Sequence, residues 1–307
     1  MSDQRQPFLQ KNGYEIVQCQ GCGFLYVHPR PNREELEAFY QNPIYFQGND
    51  AYGYSAYFDE REEIQRRAME RLMMIERFVR RGRLLDVGCA SGYFLSIAKA
   101  RGWQVEGVEV SQVVAPSAEQ LLDQRIHPTL DAFAAAPESF DVVTLWEYIE
   151  HVIDPRDELL RVRRLLKPDG LLALSTPNAG QLRVRRNPGA WREFKPPEHL
   201  GFFSVETVTR LLHACGFASP VIGAISPDIR PPNSEQQLID LLRQRFGDRH
   251  TRTTRYWWIY SVVRRLFLAR AWLHHRTRLS SLDYCKGIEV YARKDIPTRI
   301  NTDERRF

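Results

Sequence analysis

The stretch Leu84-Leu85-Asp86-Val87-Gly88-Cys89-Ala90-Ser91-Gly92-Tyr93-Phe94 decides the fold. An apolar run ends on an acid, a glycine turn follows, and a second apolar pattern opens behind it. The order predicts a buried strand over Arg83–Val87, a tight turn, and a helix over Ser91–Arg101 whose first N–H groups face any ligand at the turn. Gly88 and Gly92 allow that ligand close to the backbone. The spacing is G-x-x-x-G, not the G-x-G-x-x-G of dinucleotide-binding loops, although a purely structural turn would satisfy the same pattern.

Working outward, strands and helices alternate. Gln104–Glu109, Phe140–Trp146, Leu171–Ser175, Phe217–Ile225 and Gly287–Ala292 read as further strands. Between them Val113–Gln124, Arg156–Leu166 and Val205–Cys215 read as helices. Such alternation predicts an α/β fold with a doubly wound, mostly parallel sheet, binding its ligand at the carboxyl ends of the strands. Glu109, in Val108-Glu109-Val110-Ser111, ends the second strand, where an acid can accept both hydroxyls of a ribose.

Upstream, Tyr14–Gln18 alternates, Cys19–Gly23 turns and Phe24–Val27 extends, a small hairpin or knuckle. Asn32–Tyr40 reads as a short helix. Tyr40–Phe58 is rich in aromatics and glycine, a lid over the ligand or a packing segment. Ile64, Ala68, Leu72, Ile75 and Val79 give Asp59–Arg81 a helical period, closed by Gly82.

Downstream of the Gly-rich loop three blocks follow in order: Phe140-Asp141-Val142-Val143-Thr144-Leu145-Trp146-Glu147-Tyr148-Ile149-Glu150-His151-Val152 with Asp154-Pro155, then Leu165-Leu166-Lys167-Pro168-Asp169-Gly170-Leu171-Leu172, then Ser175-Thr176-Pro177-Asn178. With the Asp86 loop they resemble the class I methyltransferases that use S-adenosylmethionine (SAM), in the subgroup acting on small molecules, quinones and sugars. The resemblance covers about Arg83 to Phe217. It implies a Rossmann-like sheet of seven strands, Asp86 and Gly88 at the methionine end of SAM with Ala90 and Gly92 in the same loop, and Glu109 on the ribose. It also implies Asp131 near the adenine and Trp146 beside the sulfonium. Ala90 stands where the family usually has glycine.

Methyl transfer from a sulfonium needs proximity, orientation and, for a poor nucleophile, a general base. Candidate bases are therefore sought near Trp146. Glu147, Glu150 and His151 are spaced i, i+3, i+4, as on one face of a helical turn. The same E-x-x-E-H run occurs in ubiquinone-pathway O-methyltransferases, which it resembles, and there it is associated with a divalent metal. Two carboxylates suit Mg²⁺; otherwise Glu150 and His151 only cap the turn, with His151 and Glu147 as alternative catalytic groups. His199, in Pro196-Pro197-Glu198-His199-Leu200-Gly201-Phe202-Phe203-Ser204, is a base or holds its loop, and Ser204 reads as the N-cap of the next helix. Cys19 and Cys22 look like half of a zinc ribbon. A structural zinc wants four ligands, and even with His28 one is lacking, so zinc is not expected.

The chain has 307 residues, 43% hydrophobic and 26% charged, with a net charge of +5. That is enough for a packed core. The five cysteines are odd in number and mostly scattered, and no signal segment or long apolar run is evident, so a cytoplasmic protein is expected. Residues 228–280 concentrate the positive charge, with eleven arginines against four acids. Within them 255–276 interleaves Trp257, Trp258 and Trp272 with arginines around an aliphatic face, a pattern that suits peripheral contact with a membrane or a lipid-linked acceptor, stacking on RNA, or plain packing. Nucleic acid is the less favoured partner, because Trp146-Glu147-Tyr148-Ile149 lacks the Asn/Asp-Pro-Pro-aromatic run of base methylation. A non-catalytic SAM-binding subunit is the other alternative. The expected organisation is an N-terminal knuckle and lid over 1–58, the SAM core over 59–226, a basic aromatic helical insertion over 227–283, a last core strand in 284–295, and a flexible tail over 296–307.

Overall fold

The computed structural model describes residues 4–41, 61–225 and 285–295, with Val262 and Arg265 in addition. The aromatic run beyond Gln41, the Arg/Trp stretch 255–276 apart from those two positions, and the tail lie outside the described residues.

A six-stranded sheet forms the core, in the order β5-β4-β6-β7-β10-β9. Its strands are β4 Arg83–Val87, β5 Gln104–Val108, β6 Phe140–Trp146, β7 Leu166–Pro177, β9 Phe217–Ile225 and β10 Gly287–Lys294. The pairs β4–β5, β4–β6 and β6–β7 are parallel, and β10 runs antiparallel to both neighbours. The seventh position of the order, beyond β5, is held by one parallel bridge between Val108 and His127.

The strand period of two sorts the core. Leu84, Val142, Leu171 and Ala173 face α2 (Arg61–Ile75), α3 (Tyr93–Ala100) and α4 (Ala115–Leu122), meeting Leu72, Leu95 and Ala118. Their neighbours Leu85, Val143, Leu172 and Leu174 face α5 (Pro155–Leu165) and α7 (Val205–Ala214), meeting Leu159, Val162 and Val208. Both faces are covered, as the apolar β4, β6 and β7 require. Asp154 caps α5, accepting from the N–H groups of Arg156 and Asp157, and Ser204 caps α7 in a box with Thr207. The regular helix α2 ends at Ile75, earlier than its period suggests, and the chain winds on in turns through Val79.

A second, four-stranded sheet joins β1 Arg5–Lys11, β2 Tyr14–Cys19, β3 Leu25–His28 and β8 Gly201–Phe202 in that order. The first hairpin turns at Asn12-Gly13, both at positive φ (51° and 80°), a two-residue turn signal that the sequence reading passed over. Strand β8 comes from the loop before α7, so the N-terminal sheet is closed by core chain. Ile16 and Val27 pack with Trp191, Phe194 and Phe202 on one side, while Val17, Phe24 and Tyr26 enter the main core on the other. From this sheet α1 (Arg33–Tyr40) returns towards the carboxyl ends of β4 and β5. No helix among the described residues is long and apolar enough to cross a membrane.

Candidate active site

A cavity of about 590 Å³ opens at the carboxyl ends of β4, β5 and β6, the point where strand order reverses. Asp86 lies buried at its floor and accepts a 2.6 Å hydrogen bond from Thr144 Oγ1. Burial lifts its carboxyl to about 7, against the opposing pull of Thr144 and Arg71. The N–H groups of Gly88 and Cys89 both donate to Val108 O, which folds the loop across the end of β5. Gly88 has φ 80°, and a Cβ there would stand 2.6 Å from the Tyr148 ring, so glycine is required twice over. Glu109 is held by its neighbours: Ala90 N–H donates to Oε2 at 2.9 Å and Ser111 N–H to Oε1 at 2.8 Å. Each oxygen keeps a lone pair for a ligand, and burial raises the carboxyl's pKa. Ala90 adopts φ 47°, a left-handed conformation that explains why its position suits glycine. Gly92, at φ 77°, brings α3 against Ala118.

Trp146 ends β6 and borders the cavity. Above its ring, at 4.2 Å, lies the guanidinium of Arg71 from α2. Arg71 donates to Glu289 Oε1 at 2.9 Å and to Ser175 Oγ at 3.0 Å, tying α2 to β7 and β10. Sequence reasoning missed this residue. It sits on the polar side of an amphipathic helix with no local mark. Asp131 borders the cavity at its rim, 54% exposed, in ion pairs with Arg161 at 2.7 Å and Arg33 at 3.6 Å.

On the acceptor side the structure corrects the E-x-x-E-H reading. No helical turn spans the run: Glu147 has φ 48°, Tyr148 stands outside the helical region at φ −123° and ψ −44°, and only Ile149–His151 forms a short 3-10 turn. Glu147 therefore departs from its two partners. Its carboxylate accepts from Ser175 Oγ at 2.7 Å and lies 4.0 Å from Arg71, and burial raises its pKa while Arg71 opposes the rise. His199 takes its place. Ligating atoms of Glu150, His151 and His199 all lie within 4.8 Å of one another. Neither oxygen of the buried Glu150 meets a partner in good hydrogen-bond geometry among the described residues, although the Thr176 side chain and the Glu150 backbone lie close enough to pull its pKa down in part. Burial, and then the charge of Glu147, push its carboxyl well up.

The two imidazoles are set in one tautomer. His151 Nδ1 is 2.9 Å from Glu198 O, and His199 Nδ1 is 3.0 Å from Glu193 O. A carbonyl only accepts, so each Nδ1 carries the proton and each Nε2 keeps its lone pair. Burial holds both rings neutral, lowering His151 to about 3 and His199 well below the usual imidazole range. Two neutral imidazoles, each with one ring-nitrogen lone pair, and the Glu150 carboxyl are a donor set that fits a divalent cation. Cys19 closes β2 and Cys22 lies in the turn that follows, where burial raises its thiol pKa.

Comparison with known proteins gives the geometry its family. A methyltransferase domain family matches residues 58–219, more than half of the chain. The ubiquinone biosynthesis O-methyltransferase of Roseobacter denitrificans is 40% identical over 103 residues, 31% of this chain and 41% of that protein. Its namesake in Ruegeria pomeroyi is 39% identical over 116 residues, 36% of this chain and 44% of that one. The chain thus spans less than half the length of these relatives. Among solved structures, a SAM-dependent methyltransferase from Archaeoglobus fulgidus aligns with TM-score 0.52 at 17% identity, over 78% of this chain and all of that one. A phosphoethanolamine N-methyltransferase of Haemonchus contortus in complex with SAM aligns with TM-score 0.50 at 16% identity, over 96% and 71%. These structures speak for the fold alone. Fold, loop and family agree, and the chain belongs to the class I SAM-dependent methyltransferases.

Proposed function

We propose that the protein transfers the methyl group of SAM to an oxygen of a small-molecule acceptor bound beside Glu150, His151 and His199. The observation that carries this reading is that group itself, a carboxylate and two lone-pair nitrogens gathered next to the cofactor cavity. It is supported by the likeness to proteins named ubiquinone biosynthesis O-methyltransferases.

SAM fits the cavity by its parts. Glu109 would accept the ribose hydroxyls, ionised Asp86 would hold the ammonium of the methionine end, and Trp146 would border the sulfonium, all three lining the cavity. SAM would supply the methyl carbon, whose bond to sulfur would break as its bond to the acceptor oxygen forms, leaving S-adenosylhomocysteine, and the acceptor's hydroxyl proton would go to solvent. A divalent cation held by Glu150, His151 and His199 would supply the lowering of that hydroxyl's pKa. With one carboxylate and two imidazoles the donor set suits Mn²⁺, Co²⁺ or Zn²⁺ better than Mg²⁺. The chain's own part is orientation. The Glu193 and Glu198 carbonyls fix the two rings, and Arg71 spans Trp146, Ser175 and Glu289 behind the transfer point. The sequence of 255–276 supports a lipid-like or quinone-like acceptor, for which binding to anionic vesicles that weakens with salt is the corresponding test.

The direct experiment incubates the protein with SAM and a panel of phenols, catechols and quinols, before and after chelation. Turnover should fall more than tenfold with chelator and return with Mn²⁺. Rates unchanged by chelator would overturn the cation's part, and absence of turnover on every hydroxyl acceptor would overturn O-methylation.

A further inference from the structure

Tyr40 closes α1, upstream of the family's matched stretch, yet reaches the acceptor group. Its hydroxyl is 3.0 Å from His151 Nδ1 and donates to Glu198 O at 3.3 Å. The ring stands edge-on to His151, with centroids 6.1 Å apart. Because the His151 Nδ1 proton points at Glu198 O, three atoms form a closed triangle. The imidazole N–H is shared between the carbonyl and Tyr40 Oη, and the tyrosine proton goes to the same carbonyl. One hydroxyl so braces His151 and the peptide that leads into His199, two of the three groups in the cluster.

The main chain at Tyr40 is fastened to the other half of the site. Ser111 Oγ donates to Tyr40 O at 3.2 Å. The side chain of Gln41 donates to Val110 O at 3.0 Å and accepts from Gln112 N–H at 3.1 Å. These residues directly follow Glu109. The end of α1 is thus pinned to the ribose loop by its backbone and to the acceptor group by a side chain.

We propose that Tyr40 is a positioning residue: its hydroxyl holds His151 and the Glu198–His199 peptide in the ligating arrangement, so that the acceptor side is complete only with α1 docked. The inference rests on the reading of Glu150, His151 and His199 as a cation site. Partners that orient a ligating histidine are worth about 10–100-fold in metal affinity.

The test titrates Mn²⁺ into the full chain and into Tyr40→Phe, which keeps the ring, following the ion by electron paramagnetic resonance. Affinity should fall about tenfold or more, while SAM affinity by calorimetry stays within about twofold, since the hydroxyl's hydrogen bonds run to His151 and Glu198 and not to Asp86, Gly88 or Glu109. Equal Mn²⁺ affinities overturn the proposal. Gln41→Ala loosens the docking without touching the triangle, and an equal loss in that variant overturns the hydroxyl's part. If the wild type binds no Mn²⁺, the cation reading fails, and Tyr40 is judged separately from the ¹⁵N shifts of His151 in metal-free protein. A single Nδ1–H tautomer that becomes a mixture in Tyr40→Phe supports the brace; identical shifts overturn it.

Discussion

The cofactor half of the cavity comes from two short loops on adjacent strands, residues 86–92 and 108–111, whose hydrogen bonds run mostly to each other. The acceptor half gathers Glu150 and His151 from the turn after β6, His199 from the segment before β8, and Tyr40 from α1, 111 residues from the histidine it touches. The first half is a local device that any chain with the right strand–turn–helix can carry. The second exists only as a consequence of tertiary closure. Damage should therefore separate: changes in one half should spare the other, and only residues at the seam should touch both.

The sharpest division is expected from the acceptor half. His199→Ala removes a lone-pair nitrogen from the group without altering the cofactor loops. Turnover should drop more than about tenfold, as it should on chelation, and SAM affinity by calorimetry should stay within about twofold. A parallel loss of SAM affinity would show that the halves are one unit. In the other direction, Glu109→Ala deletes the proposed ribose acceptor and strands the N–H groups of Ala90 and Ser111. Charge-assisted hydrogen bonds are worth about 1.5–3 kcal/mol each, so SAM affinity should weaken at least tenfold, with Mn²⁺ binding preserved. Unchanged SAM affinity would remove Glu109 from the site.

Protonation sharpens the comparison further, because burial disfavours the charged form in both halves, raising the carboxyls of Asp86, Glu109 and Glu150 and lowering the imidazoles of His151 and His199. Asp86 is lifted to about 7, so in the ligand-free protein it holds its proton up to near neutrality. Its contribution to stability is full below the ordinary carboxylate range and is lost as pH rises through about 7. Binding of a cationic ligand group needs the ionised form, so SAM affinity should weaken as pH falls below 7, by at most about tenfold per unit. Asp86→Asn should flatten that profile. His151, lowered to about 3, is neutral throughout this range and its contribution is lost only as pH falls from about 6.5 towards 3. A SAM profile that keeps its slope in Asp86→Asn would assign the titration elsewhere.

The difference in construction also explains what the sequence made legible. Asp86, Gly88 and Glu109 could be read because their geometry follows from strand, turn and helix in one pass of chain. The strands β4, β6 and β9 appear with the boundaries their apolar runs suggest. Glu147 could not be placed by spacing, since i, i+3, i+4 has meaning only on a helix and the chain at Glu147 turns left-handed instead. His199 carried the mark of its residue type but not its partners, which come from a different element. The signal missed outright was local: Asn12-Gly13 between two alternating segments announces the β1–β2 hairpin. Arg71 had no signal, and Tyr40 was marked only as the start of an aromatic run read as lid or packing. Their roles arise from where α2 and α1 pack, a choice made by the apolar faces of those helices.

The smallest effect lies inside the cofactor loop, where two residues three positions wide make a matched pair. Gly88 and Ala90 both adopt positive φ, 80° and 47°. Gly88 has a ring 2.6 Å from where a Cβ would stand, so Gly88→Ala must push Tyr148 aside as well as strain its backbone. Overpacking of this kind costs about 1–3 kcal/mol. Ala90→Gly runs the other way. A left-handed alanine carries about 1–2 kcal/mol of steric cost, and the added freedom of glycine in the unfolded chain returns about 0.5–1 kcal/mol of it. The net gain should lie between about zero and about 1.5 kcal/mol, read as a small rise in the denaturation midpoint with an unchanged slope. The amide of residue 90 still donates to Glu109 Oε2 in the variant, so SAM affinity should hold or improve slightly. A clear loss of SAM affinity in Ala90→Gly would mean that the methyl group at this position stiffens the loop for its ligand, and the cofactor half would then depend on more than hydrogen bonds between its two loops.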